Sequence, residues 1–223
     1  MKVTLRNYPQ NADELCGWAA ALCANSPDYN RSLEHAMESN HLSVLEHATF
    51  TFLIEDVSRA LLAQLTRHRI ASFSVQSQRY ISLTDGFKFV IPPRIEALRP
   101  SAKAEFEYQM SVIQGWYNEW HNELMEAGYK KGEANEDARF VLPNAASTDL
   151  ACTMNARELL LFFSLRCCNR AQWEIREMAW EMLKACKAVA PKLFMLAGPG
   201  CIRGKCPEGK LSCKNPYWTV CAK

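Results

Sequence analysis

Phe50 and Phe52 alternate strictly with Thr49 and Thr51. A period of two gives one apolar and one polar face only in an extended strand. Residues 47–54 therefore predict a strand with one buried face, and a sheet whose covered side needs helices. Short strands are also predicted at 3–6, 86–91 and 147–153, the one at 86–91 stopped by Pro92-Pro93. Helical spacing marks 12–23, 31–39, 101–127 and 172–189. Asp56 reads as an N-cap for Val57, Ala60, Leu61 and Leu65, in a helix running to about Arg69. Asn155-Ala156-Arg157-Glu158 has capping-box form and opens a helix to Arg166. Helices and strands mix without regular βαβ order. The expected class is α+β, helices packed around a largely antiparallel sheet.

The 223 residues suffice for one buried core, and no repeat or low-complexity linker divides them. Residues 1–198 are read as one domain and 199–223 as an appended Cys-rich tail. Lys plus Arg number 26 against 24 Asp plus Glu, a balance unlike that of a chain built to grip nucleic acid. No apolar run approaches the roughly 18 residues that span a bilayer. The opening MKVTLRNYPQNADELC lacks the apolar core of a signal peptide. A cytoplasmic location is expected, with the ten cysteines as thiols or metal ligands.

Two motifs in the tail fail on inspection. Gly198-Pro199-Gly200-Cys201-Ile202-Arg203-Gly204 nearly spells a dinucleotide fingerprint, but its last glycine comes one place late. Gly204-Lys205 lacks the earlier glycine of a P-loop, and Cys206 stands where a hydroxyl should bind magnesium. Cys201, Cys206, Cys213 and Cys221 supply the four thiols of a closed zinc site, although their spacings miss the usual pairing. Zinc, disulfides and free thiols all remain open for them.

Residues 67–80 are denser in chemistry. Arg67, His68 and Arg69 are adjacent, and Gln64, Arg67 and His68 fall on one helical face. A polar loop follows, through Gln76, Ser77 and Gln78 to Arg79-Tyr80. Cations at a helix end also gain from the dipole, so a capped, solvated terminus is the plain alternative. Against it stand several directional donors, since guanidinium forks suit phosphates and carboxylates.

Arg67-His68-Arg69, then seven residues, then Ser77, resembles the signature of the flavin-dependent thymidylate synthases. Other segments agree in order and spacing. His41-Leu42-Ser43-Val44-Leu45-Glu46-His47 is similar to that family's His-x-Ser/Thr-x-x-Glu-His. Gln64 stands three before Arg67. Ala138-Arg139-Phe140-Val141-Leu142-Pro143 is similar to its Ala-Arg-aliphatic-aliphatic-Leu-Pro, with Phe140 at the first aliphatic place. Asn155-Ala156-Arg157, Leu165-Arg166 and Ala171-Gln172-Trp173-Glu174-Ile175 match its C-terminal block. Ser74-Val75, where Asn-Glu is frequent, and Leu161, where Asn is frequent, depart from the pattern and put individual contacts in question.

The resemblance implies methylation of dUMP to dTMP, with FAD reduced by NADPH as hydride source and methylenetetrahydrofolate as carbon donor. It places His41, Ser43, Glu46 and Arg67 at FAD, with His68, Arg69, Asn155 and Arg157. For dUMP it implies Gln64, Arg67, Gln76, Ser77, Gln78, Arg79 and Arg139, with Arg166 against the uracil as the catalytic cation. A cation so placed favours the N3-deprotonated ring by roughly 1.4–4 kcal/mol, part of a barrier and not all of it. No Pro-Cys-His tripeptide occurs, so no cysteine is expected as a nucleophile. The resemblance also implies a homotetramer with active sites between subunits. Rival readings are a nucleic-acid-binding module with a zinc-binding tail, separable by flavin absorbance, and a relative that binds flavin and nucleotide without turnover.

Overall fold

The computed structural model describes residues 1–215, so Cys221 lies outside the described residues. The α+β class holds. Strands β1 (Lys2–Asn7), β2 (Thr49–Ser58), β3 (Ala71–Val75) and β4 (Ser147–Asn155) form an antiparallel sheet in the order β1-β2-β4-β3. The helices are α1 (Ala12–Ala24), α2 (Tyr29–Glu38), α3 (Arg59–Leu65), α4 (Pro93–Glu96), α5 (Ala102–Glu126), α6 (Lys131–Ala138), α7 (Ala156–Arg166) and α8 (Trp173–Val189). The chain divides into two compact units, whose boundaries in sequence fall inside β2, α3, β3 and β4. One comprises Met1–Ile54, Gln64–Phe73 and the described residues from Ala151; the other comprises Glu55–Ala63 and Ser74–Leu150.

In the first unit the alternation at 49–54 is realised: Phe50, Phe52 and Ile54 are fully buried. On the opposite face Thr51 Oγ1 and Thr153 Oγ1 share a hydrogen bond of 2.9 Å. A line of edge-on rings extends the core. Phe50 meets Phe194 at 5.3 Å, Phe194 meets Phe163 at 5.9 Å and Phe163 meets Phe162 at 5.7 Å. The line ends on His68, 5.0 Å from Phe162. Elsewhere in this unit α1 and α2 approach so closely that a Cβ on Gly17 would lie 2.6 Å from the Tyr29 carbonyl oxygen. That neighbour is backbone and cannot rotate away. Gly17→Ala should therefore cost about 1–3 kcal/mol in denaturant unfolding. A wild-type midpoint and slope would show the α1–α2 contact to be more compliant than this.

The second unit corrects the reading of Asp56. Its backbone adopts φ 56°, and its N–H donates to Asp149 Oδ1 at 2.8 Å. The residue stays in β2 and caps nothing. Ser58 takes that role, its Oγ accepting the Leu61 N–H at 3.0 Å. Helix α3 thus starts later than expected and ends at Leu65, short of Arg69. The strand expected at 86–91 is reduced to an isolated antiparallel bridge, Phe89 to Ala146. Pro92 and Pro93 have no N–H with which to extend it. The short α6 was not expected, and neither was β3, whose residues read as loop.

Candidate functional site

Helix α7 organises the first cluster. Asn155 Oδ1 accepts the Glu158 N–H at 2.9 Å, which fixes the start of the helix. The reciprocal half of the capping box is replaced: the Glu158 carboxylate turns to His68. Glu158, Phe162 and Arg166 follow at i, i+4 and i+8, a single stripe, and His68 meets all three. Its Nδ1 lies 3.0 Å from Glu158 Oε1, with both side chains buried. Arg166 Nε donates to His68 Nε2 at 3.1 Å.

Those two bonds settle the tautomer. An arginine N–H can only donate, so Nε2 accepts and the ring proton sits on Nδ1, donated to Glu158. The imidazole is neutral. Burial pulls its pKa below the ordinary value of 6.5 and the Arg166 charge adds to this, while the Glu158 hydrogen bond opposes both. Burial also lowers the pKa of Arg166, as does the neighbouring charge of Arg67. Arg67 and Arg69 are exposed on either side of buried His68. Arg166 is half-buried, and its terminal nitrogens make no hydrogen bond among the described residues.

A cavity of about 640 Å³ lies in the same unit. Glu46, Asn155 and Arg157 line one part of it, and an ion pair of 2.5 Å joins Arg157 Nη1 to Glu46 Oε1. Leu42, Ile70, Leu160 and Leu161 give it apolar wall. A concave, largely apolar site with a few fixed polar groups suits a flavin dinucleotide in size and chemistry. The expected His41, Ser43, Arg67, His68 and Arg69 are not among its lining residues. Leu161, a departure from the family pattern, is.

The second unit holds another group of expected residues. Tyr117, fully buried, accepts the Leu83 N–H at 3.2 Å and reaches Asn135 Oδ1 at 3.3 Å. Asn135 Nδ2 in turn donates to the Arg79 carbonyl at 2.9 Å. The backbone at Arg79 is thereby fixed from α5 and α6. Ser77 Oγ accepts the Arg79 N–H at 3.2 Å, and Arg79 Nε pairs with Glu136 at 2.8 Å on the surface. Arg59 donates to the Gln76 carbonyl at 3.0 Å. Burial and the nearby charge of Arg139 both lower the Arg59 pKa.

Glu158 and Arg59 escaped the sequence reading. Glu158 was taken for a capping residue. Arg59 opens a helix, where a cation opposes the dipole, and that misplacement was the available signal.

Among the described residues no three His, Cys, Asp or Glu are placed to share a metal ion. Cys201, Cys206 and Cys213 form no disulfide among the described residues, and with Cys167 and Cys168 they line a second cavity of the first unit, about 320 Å³. No described helix is long and apolar enough to cross a membrane.

The α+β fold thus sets a guanidinium, held by a neutral, carboxylate-oriented histidine, near a cavity of about 640 Å³, an arrangement compatible with an enzyme that binds a large cofactor. Residues 4–192 match the family model described as "Thymidylate synthase complementing protein". A "Flavin-dependent thymidylate synthase" of Geobacter sulfurreducens is 46% identical over 226 residues, covering 96% of this chain and 94% of that protein. One of Clostridium tetani is 43% identical over 240 residues, with coverage of 96% and 93%. One of Nitratidesulfovibrio vulgaris is 53% identical over 177 residues, with coverage of 78% and 71%. The chain belongs to the flavin-dependent thymidylate synthase family, as the motifs between His41 and Phe194 led us to expect.

Proposed function

We propose that this chain converts dUMP to dTMP, taking the carbon from 5,10-methylenetetrahydrofolate and the hydride from FAD reduced by NADPH. The observation that carries this reading is Arg166 held at Nε by neutral His68, in the segments through which the chain resembles its family. With Nε occupied, the two terminal nitrogens of Arg166 are left for the uracil. There they favour the N3-deprotonated ring and raise electron density at C5, so that C5 can attack the carbon donor. Arg67 adds positive potential at the same place.

Arg79 and Arg139 take the dUMP phosphate and sugar, with Gln64, Arg67 and the loop through Gln76, Ser77 and Gln78. Arg79 must exchange its surface partner Glu136 to do so, a small cost for a solvated pair. His41, Ser43, Glu46 and Arg67 hold FAD, together with His68, Arg69, Asn155 and Arg157. When bound and reduced, FAD supplies the hydride that turns the transferred methylene into a methyl group. We further propose residues 1–198 as the catalytic domain, a cytoplasmic homotetramer with active sites between subunits, and no nucleic-acid or membrane partner.

No thiol is assigned a covalent step. Burial raises Cys16 to about 11 and both Cys152 and Cys167 to about 12, and it raises Cys186 as well. Such thiols are poor nucleophiles near neutral pH. Each single Cys→Ser variant should therefore keep measurable turnover. A folded, flavin-loaded variant with none would restore a covalent route. The cofactor reading is tested by the absorbance of the purified protein and the flavin released on denaturation. Protein that stays colourless after incubation with FAD would reject it.

A further inference from the structure

The cavity beside Glu46, Asn155 and Arg157 has a second wall, built from a C-terminal segment beyond the 4–192 stretch that matches the family model. We propose that Arg203 of this segment binds the phosphate groups of the flavin dinucleotide. The inference rests on the FAD reading above and adds to it a contact from residues beyond that stretch.

The segment is folded against itself closely enough to act as a wall. Ile202 N–H donates to the Pro199 carbonyl at 2.8 Å. A Cβ on Gly200 would lie 2.7 Å from Pro207 Cγ, so a larger residue there would force the Pro207 ring to shift. Arg203 is aimed by its own short-range bond, Nε donating to the Leu196 carbonyl at 3.2 Å. That bond fixes the base of the guanidinium and leaves its two terminal nitrogens without a hydrogen bond among the described residues.

Charge then selects the occupant. Two arginines line the cavity, Arg157 and Arg203. Arg157 is already paired with Glu46, and the other acid in the lining, Glu158, is engaged by His68. Among the described residues Arg203 is thus the lining cation without an acidic partner. A preset fork with free donors is suited to a phosphate oxygen pair. The surrounding apolar side chains, Ile70, Leu160 and Ile202 among them, suit the rings of the same molecule.

The test is FAD affinity, read by quenching of FAD fluorescence on titration with apoprotein, together with a thermal melt to show that each variant is folded. Arg203→Ala should weaken FAD binding about 10–100-fold, the loss of a charge-assisted hydrogen bond. Arg203→Gln keeps a donor at the place of Nε for the Leu196 carbonyl but loses the charge and the terminal nitrogens, and should be nearly as weak. Arg203→Lys, which retains the charge but not the fork, should recover part of the affinity. The dependence of the dissociation constant on salt should flatten in the Ala and Gln variants. Wild-type affinity in folded Arg203→Ala, or Gln binding as well as Lys, would overturn the proposal while leaving the FAD reading intact. Failure of the wild-type protein to bind FAD would overturn both.

Discussion

Arg166→Ala should lower dTMP formation by about 10²–10³-fold or more, the usual consequence of removing a preorganised donor from a site where charge develops. The fold should survive, because Arg166 is half-buried at the end of α7 and the apolar packing of that helix lies on Leu159, Phe162 and Phe163. FAD affinity should change little, since Arg166 does not line the cofactor cavity. Lys should rescue poorly. Its single ammonium cannot both donate to His68 Nε2 and present a planar pair of N–H groups to the uracil. Turnover within a few-fold of wild type in the Ala variant would remove Arg166 from the chemistry.

Glu158→Ala should have the next largest effect, about 10–100-fold in kcat, because a catalytic group displaced by an ångström loses that much. Glu158 borders the cofactor cavity, but its carboxylate is turned to His68, and in this reading it acts by positioning His68 and through it Arg166. Its removal strands the His68 Nδ1–H in a buried place, at a stability cost of about 1–3 kcal/mol. A purely structural role would produce that cost alone, so pH dependence separates the two. His68 has a folded pKa below its unfolded 6.5. Its contribution to stability is therefore complete above pH 6.5 and declines as the pH falls from there through the lower folded value. Over the same window protonation puts a second donor opposite Arg166 Nε, so activity should fall too. The Glu158 hydrogen bond raises the His68 pKa, so Glu158→Gln, which keeps an acceptor but not the charge, should move the acid limb to lower pH. An unmoved limb would exclude His68 as the titrating group.

The strongest periodicities were legible from residues alone. Phe50 and Phe52, the long α5 and the Asn155 cap emerged as read, because each depends on local spacing and one capping side chain. Elements decided by distant partners did not. Asp56 has the composition of an N-cap, yet the carboxylate of Asp149, remote in sequence, accepts its N–H and keeps the strand going. Residues 71–75 looked like loop because Ser72 and Ser74 run into the polar stretch that continues through Gln76, Ser77 and Gln78. The alternation of half-buried Ala71, Phe73 and Val75 with exposed Ser72 and Ser74 was present but short.

The site divides in the same way. Arg67, His68 and Arg69 were singled out by their density of directional donors, and Arg166 only through the family resemblance, which carries chemistry that periodicity cannot. Glu158 was seen in the wrong role, since a capping glutamate and a buried histidine partner look identical in sequence. Arg203 was seen only within a failed glycine motif. Its meaning depends on which charges elsewhere in the cavity are already paired.

The most direct measurement is a product balance with dUMP, methylenetetrahydrofolate, NADPH and FAD. Turning a methylene into a methyl group takes two electrons. If they come through the flavin, the folate leaves at its original oxidation level. Expected are dTMP and tetrahydrofolate in equal amounts, one NADPH consumed for each, and no turnover when flavin is withheld. No dTMP under these conditions, or dTMP accompanied by an equal amount of dihydrofolate and indifferent to flavin, would contradict the proposed reaction.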